Sequence, residues 1–418
     1  MSLAVTGAST LDGDPVGLRA DDGHIVAIGA DVAAAAGDEV LDGQGRVLLP
    51  GLVNGHTHAA MTLFRGFAGD LALMDWLEHH IWPAEAKLDA DDVYWGTRLA
   101  CLEMIRTGTV RFWDMYWQPA AVARAVTDAG LRASVGLPLL DNLDAAKGKQ
   151  LRADALRSLD ELADADPRIT PCLTPHGIYT VSPESLAWVA ETAAARNLFV
   201  HLHFLEIEDE VRGCLEREGV RPGPFVDGLG LLTPRTLLAH GNWMEDAELE
   251  LVAARGSTVV TNPVSNLKLA GGRIFPYAKV RGAGIPVGLG TDGASSNNGL
   301  DLFQDVKVLS ILQKHREDDP RALPAAEAWE VVTGAVAPEL GGVADLSVGA
   351  PADFLLVRCD APELGPGHLL ANLVYSAAGS VVDATVVAGR VLMRDGRIDG
   401  AAEIVAKARE RAARLGTL

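Results

Sequence analysis

Short apolar runs recur along this chain, and the spacers between them change character twice. Up to about residue 50 the runs are brief and divided by turns. Val16 to Ala20 and His24 to Ile28 flank Asp21-Asp22-Gly23, a DG signal between two alternating segments that predicts a β-hairpin. After about residue 345 the same texture returns. Ala352 to Val357 reads as one strand, and Val381 to Val387, Ala388-Gly389-Arg390 and Val391 to Met393 as another hairpin. Neither end has enough apolar surface for a core of its own. The pattern therefore predicts one small β-sandwich assembled from residues 1–50 and 346–418, which brings the two ends of the chain together.

Between these ends strands alternate with helices. Apolar β runs stand at Thr109–Trp113, Arg132–Leu137, Ile169–Leu173, Leu198–Val200, Thr236–Ala239, Ser257–Val260 and Ile285–Leu289. The run from Val47 to Val53, broken by Pro50-Gly51, adds an eighth. Amphipathic stretches such as Asp91 to Arg106 and Ser182 to Arg196 separate several of them. Eight such units predict an α/β chain with a closed (β/α)8 TIM barrel over residues 51–345. The segment at about 64–89 is too long for an ordinary βα loop and is rich in Trp and His, so it is expected to cover the barrel mouth.

Composition narrows the function. The 418 residues are 48% hydrophobic, ample for a large core, and carry a net charge of −20. That charge argues against a nucleic-acid backbone or an anionic membrane as partner. Cys101, Cys172, Cys214 and Cys359 are scattered without a CxxC pair, which leaves neither a disulfide framework nor a thiolate zinc knuckle. No basic-then-apolar leader opens the chain, and no apolar run is long enough to span a bilayer. A cytoplasmic protein with a small-molecule ligand is expected; self-association into a homo-oligomer is left open.

Polar residues fall at the strand ends. The first strand runs out in His56 and His58, the second in Asp114, the fourth in His176. The fifth ends in His201-Leu202-His203 with Glu206 beyond, the sixth in His240, the seventh in Asn262 and Asn266, the eighth in Asp292. Barrel active sites lie at the C-terminal ends of the strands, and histidines with a mere packing role would not all choose that edge. Residues i and i+2 of a strand point the same way, so both imidazoles of His56 and His58 can reach one ion. With a histidine of the fifth strand and Asp292 they make three nitrogens and a carboxylate, a ligand set for a catalytic divalent metal. His203 suits the fifth-strand place, because Glu206 follows at a spacing that reaches the metal's water; His201 reads as a deeper, buried histidine. No lysine at a strand end could bridge a second ion, so one metal per chain is expected.

The segments PGLVNGHTH, His201 to Glu206, LLAHGNW, TNPVSNLKL and GLGTDGASSNN resemble the amidohydrolase superfamily. More narrowly they resemble its branch of S-adenosylhomocysteine / 5′-methylthioadenosine deaminases and triazine hydrolases. The resemblance runs over nearly the whole chain. It implies that His56, His58, His203 and Asp292 bind zinc, or alternatively iron, and that Glu206 and His240 are catalytic. The implied reaction is hydrolytic deamination of an adenine-type nucleoside: adenosine, 5′-methylthioadenosine or S-adenosylhomocysteine. A metal-activated hydroxide adds at C6, Asp292 takes the water's proton, Glu206 protonates the ring nitrogen, His240 steadies the adduct, and ammonia leaves.

Trp76, Glu85 and His176 match positions that stack on or hydrogen-bond the nucleoside, with core packing equally open for Trp76. Asn266 and Ser295 to Asn298 read as turn chemistry. Rival readings are a deaminase or chlorohydrolase of guanine, 8-oxoguanine or a triazine, and a catalytically silent binding protein of the same fold. One departure stands out. Relatives that take S-adenosylhomocysteine place arginines after the third strand, whereas here that stretch is Leu137-Pro138-Leu139-Leu140, with Lys149 and Arg152 further along. A small neutral 5′ substituent is therefore expected.

Overall fold

The computed structural model describes residues 2–343 and 345–418. Alternation decides how its small domain is built. Arg46–Pro50 pairs antiparallel with Phe354–Arg358, Leu48 opposite Leu356 and Leu49 opposite Leu355. Successive side chains of a strand face opposite ways. Leu48, Phe354 and Leu356 accordingly join Leu3, Val5, Leu18 and Ile25 in a local core. Val47, Leu49, Leu355 and Val357 face the main core shared with the barrel. Leu3–Ser9, Pro15–Asp21, His24–Gly29, Glu39–Asp42, Val382–Val387 and Arg390–Met393 complete a sheet of eight strands drawn from both ends of the chain. Asp22 and Gly23 have φ of 46° and 78°, the left-handed pair that the DG hairpin needs. Arg132 fastens this domain to the barrel: its Nε donates to Asp353 Oδ2 at 2.6 Å, and Asp353 also accepts the Ala388 N–H at 2.7 Å.

The barrel strands are Leu52–Thr57, Thr109–Met115, Arg132–Gly136, Ile169–Pro175, Phe199–Phe204, Thr236–His240, Thr258–Thr261 and Val287–Leu289, parallel and in sequential order. The short piece Pro138–Leu139 pairs beside the fourth. The eighth strand returns to the first, where Asp292 N–H donates to the His56 carbonyl at 3.0 Å and the Thr57 hydroxyl donates to the Asp292 carbonyl at 2.9 Å. Gly290 permits this closure, since a Cβ there would lie 2.3 Å from Asn262 Oδ1 and 2.9 Å from His56 Cβ. The fifth strand runs beyond the apolar run Leu198–Val200 because His201 and His203 are fully paired strand residues despite their polarity.

Helix Ala90–Arg106 starts with a reciprocal cap: Asp89 accepts from Asp92 N–H at 2.8 Å and Asp92 from Asp89 N–H at 2.9 Å. The C-terminal helix Ala401–Leu415 is tied to the same turn by Arg414 Nε to Asp92 Oδ1 at 3.1 Å. The mouth segment forms one irregular helical stretch, Leu73–Trp76, a π turn Leu77–Ile81 and Trp82–Glu85. Leu73, Trp76, Leu77 and Ile81 are its buried face, and all four line the cavity at the strand ends. A π turn inside a helix is rare and often sits at a functional site. Among the described residues no helix is long and apolar enough to cross a membrane.

Candidate metal centre and catalytic cavity

His56 and His58 leave the first strand on one face, and their Nε2 atoms lie 3.3 and 3.2 Å from the same oxygen, Asp292 Oδ1. His203 Nε2 is 3.3 Å from His58 Nε2. One donor atom from each of His56, His58, His203 and Asp292 thus falls within 4.8 Å of every other. Each donor is aimed by a bond on its far side. His58 Nδ1–H donates to the Met115 carbonyl at 2.7 Å and His203 Nδ1–H to the His176 carbonyl at 2.6 Å. His56 Nδ1 pairs with His201 Nε2 at 2.9 Å. Asp292 Oδ2 accepts the hydroxyls of Ser265 at 2.6 Å and Ser296 at 2.9 Å.

The donor set suits a divalent cation. Burial lowers His56 to about 4 and holds His203 well below the ordinary range, so both are neutral lone-pair donors. Burial also disfavours charge on His58, but Asp292 beside it prevails and raises it to about 9. Against its own burial, Asp292 is held well below the usual carboxylate range by His56 and His58. His56 Nε2 is buried without a hydrogen-bond partner, an orphan that a metal would satisfy.

Glu206 and His240 stand next to this cluster, with His240 Nε2 3.9 Å from Glu206 Oε2. Glu206 is 5% exposed; burial raises its pKa, with His240 opposing and Asp292 adding to the rise. Its backbone is pinned, N–H to Glu210 Oε2 at 3.0 Å and carbonyl to Asn242 Nδ2 at 3.2 Å. Asn242 Oδ1 accepts from Asn266 Nδ2 at 2.9 Å, which orients the Asn266 oxygen to accept His240 Nδ1–H at 2.7 Å. This fixes the tautomer and leaves His240 Nε2 as an acceptor. Leu205, His240 and Asp292 have φ of 53°, 81° and 61°. Such left-handed non-glycine residues cost on the order of 1–3 kcal/mol each and gather at functional sites.

Trp76, Glu85 and His176 all line the same cavity. Trp76 is also 5% exposed, so it both packs and faces the cavity. Glu85 Oε2 accepts the Trp117 indole N–H at 3.3 Å, and burial raises its pKa. His176 pairs through Nδ1 with the Thr180 hydroxyl at 2.8 Å, and burial lowers it to about 3. His201 backs His56 from inside the barrel. Asp114 accepts the Ala59 N–H at 2.7 Å, which steadies the chain just past His58, and burial raises it to about 7.

Ser265, Ser296, Asn242 and Asn266 hold Asp292 and His240 in place; sequence reasoning reads Asn266 and Ser296 as turn chemistry and passes over Ser265 and Asn242. Polar residues so close to the strand ends carried the signal, but turn chemistry explains the same residues. Arg152 does not reach the cavity: it donates to the Ser185 hydroxyl at 2.9 Å and to Glu184 at 2.7 Å. Lys149 is exposed. It is Lys147 that lines an outer cleft, with Leu140, Asn142, Trp82, Glu85 and Trp117.

A family model described as the amidohydrolase family matches residues 47–392. The chain is 48% identical over 379 residues to a 5′-deoxyadenosine deaminase of Methanoregula boonei, covering 90% of this chain and 86% of that one. It is 41% identical over 389 residues to a 5-methylthioadenosine/S-adenosylhomocysteine deaminase of Archaeoglobus fulgidus, covering 91% of each. Its fold superposes on an adenosine deaminase from Xanthomonas campestris with bound zinc at a TM-score of 0.92 and 33% identity, covering 100% of this chain and 98% of that one.

Proposed function

This chain belongs to the amidohydrolase family, and from that premise we propose that it is a metal-dependent hydrolytic deaminase of an adenine-type nucleoside. The observation that carries the reading is a buried carboxyl, Glu206, beside a four-donor cluster and within 3.9 Å of an oriented imidazole, His240. His56, His58, His203 and Asp292 are the residues proposed to hold the ion, and zinc is the ion proposed. The catalytic unit is residues 51–345, with residues 1–50 and 346–418 as the small domain and the mouth segment at about 64–89 closing the cavity.

A divalent ion held there supplies Lewis acidity that activates water for attack on an electron-poor ring carbon. The protein groups divide the proton work. Asp292, its Oδ2 fixed by Ser265 and Ser296, keeps Oδ1 at the cluster and takes the proton of the attacking water. His240 Nε2 accepts from that water and orients it, because Nδ1–H is committed to Asn266. Glu206, whose pKa burial raises, donates a proton to the adjacent ring nitrogen. Proton return to the exocyclic nitrogen releases ammonia and leaves the 6-oxo ring. Trp76, Glu85 and His176 position the nucleoside.

The relatives' names, 5′-deoxyadenosine deaminase and 5-methylthioadenosine/S-adenosylhomocysteine deaminase, favour an adenine nucleoside whose 5′ carbon carries hydrogen or a thioether. The apolar Pro138 and Leu140 lining the cavity agree with that. The test is steady-state turnover on adenosine, 5′-deoxyadenosine, 5′-methylthioadenosine, guanine, 8-oxoguanine and a chlorinated triazine, read as ammonia for the first five and as chloride for the triazine. Turnover confined to the last three would overturn the reading.

A further inference from the structure

Two cavities meet at the second strand. The inner one holds the metal cluster, Glu206 and His240; the outer one carries Lys147, Asn142 and Leu88. Trp82, Glu85, Trp117 and Leu140 belong to both and so mark the passage between them. On the nucleoside reading, a ring carbon at the cluster lets the sugar extend toward that passage, beside Glu85. Tyr116 stands there, at the end of the second strand between Met115, whose carbonyl orients His58, and Trp117, whose indole holds Glu85.

Tyr116 is 2% exposed and lines the inner cavity, and among the described residues its hydroxyl makes no well-aligned hydrogen bond. The hydroxyl lies beside the Glu85 carboxyl, close enough that each shifts the other's ionisation, so the two groups face the same part of the cavity. Buried phenols ordinarily find a partner, and an unmade buried hydrogen bond is costly. Burial keeps this phenol neutral, far above its ordinary range, so it can both donate and accept. A sugar offers vicinal hydroxyls, and a diol can bridge a carboxylate acceptor and a phenol.

We infer that Tyr116 is a specificity-determining residue whose hydroxyl pairs with one sugar hydroxyl of the substrate, with Glu85 taking the other, so that the cavity selects ribonucleosides over deoxyribonucleosides. The inference rests on the nucleoside reading above and deepens it. It concerns a residue to which the sequence resemblance assigns no role.

The experiment compares wild type with Tyr116→Phe on adenosine, 2′-deoxyadenosine and 3′-deoxyadenosine, together with metal content and thermal melting. Tyr116→Phe keeps the ring and its packing, so melting and metal content should be nearly unchanged. On adenosine kcat/KM should fall by about 5- to 30-fold, mainly through KM, the order expected for one hydrogen bond made only with substrate. On one of the two deoxy analogues, the one lacking the partner hydroxyl, wild type and variant should be equal. A loss of the same size on all three nucleosides, or no loss on any, would overturn the inference. Failure of metal-loaded wild type to deaminate any of the three would instead overturn the reading on which it rests.

Discussion

Glu206→Gln separates proton transfer from everything else this cavity does. The substitution conserves shape, and the contacts that fix residue 206 are backbone ones, to Glu210 and Asn242. The side chain is outside the four-donor cluster, so metal content should stay near one ion per chain. What disappears is a buried acid whose pKa burial raises. General acid catalysis by a positioned carboxyl is worth roughly 10²–10⁴-fold, or about 2.7–5.5 kcal/mol of barrier at about 1.36 kcal/mol per decade. The assay is the ultraviolet change from 6-amino to 6-oxo purine, with metal measured on the same sample. The sign of the pH dependence follows from the direction of the shift. An acid with a raised pKa is competent below that pKa and lost as pH rises through it, so wild-type kcat/KM should carry an alkaline limb that the variant's residual rate lacks. Linkage gives a second sign: a raised carboxyl costs the fold stability as pH rises from the ordinary glutamate range through the raised value. The Gln variant should therefore lose less stability than wild type over that window. Near-normal turnover in Glu206→Gln, or loss of its metal, would refute the reasoning.

His58→Ala combined with Asp292→Ala should abolish turnover and strip most of the metal, since two remaining imidazoles hold an ion weakly; stoichiometric metal by elemental analysis would contradict the ligand set. Asn266→Ala removes the acceptor that fixes His240, and should lower kcat by about tenfold with KM and metal nearly unchanged; a change in KM alone would assign Asn266 to substrate binding. Catalytic efficiency should rank adenosine, 5′-deoxyadenosine and 5′-methylthioadenosine above S-adenosylhomocysteine, because Arg152 is committed to Glu184 and Ser185. A preference for S-adenosylhomocysteine that disappears in Lys147→Ala would show that the outer cleft binds the amino-acid end.

Much of this architecture was legible because it rests on period. Two-residue alternation put His56 and His58 on one face, and the same alternation sends Leu48 and Leu49 to different cores. The eight strand runs were readable from apolar continuity, and the barrel rule then turned scattered histidines into one rim. What the sequence hid was long-range and polar. Asn266 bonds His240 from 26 residues away, and Ser265 bonds Asp292 from 27 away. No local pattern distinguishes such bonds from turn chemistry. The left-handed φ of His240 and Asp292 was equally invisible, since a non-glycine there is sustained only by the packing around it. The π turn at Leu77–Ile81 keeps a helix-like apolar spacing, so its extra residue per turn leaves little trace in the pattern.

The central claim is that water replaces the exocyclic amine of an adenine-type ring at the His56, His58, His203, Asp292 centre. Its most direct test is single-turnover reaction of the metal-loaded protein with adenosine or 5′-deoxyadenosine in ¹⁸O-labelled water, with product mass and ammonia measured together. The account predicts one ¹⁸O in the 6-oxo nucleoside and one ammonia per product, with the bond between base and sugar intact. Release of free adenine, or unlabelled nucleoside without ammonia, would contradict it.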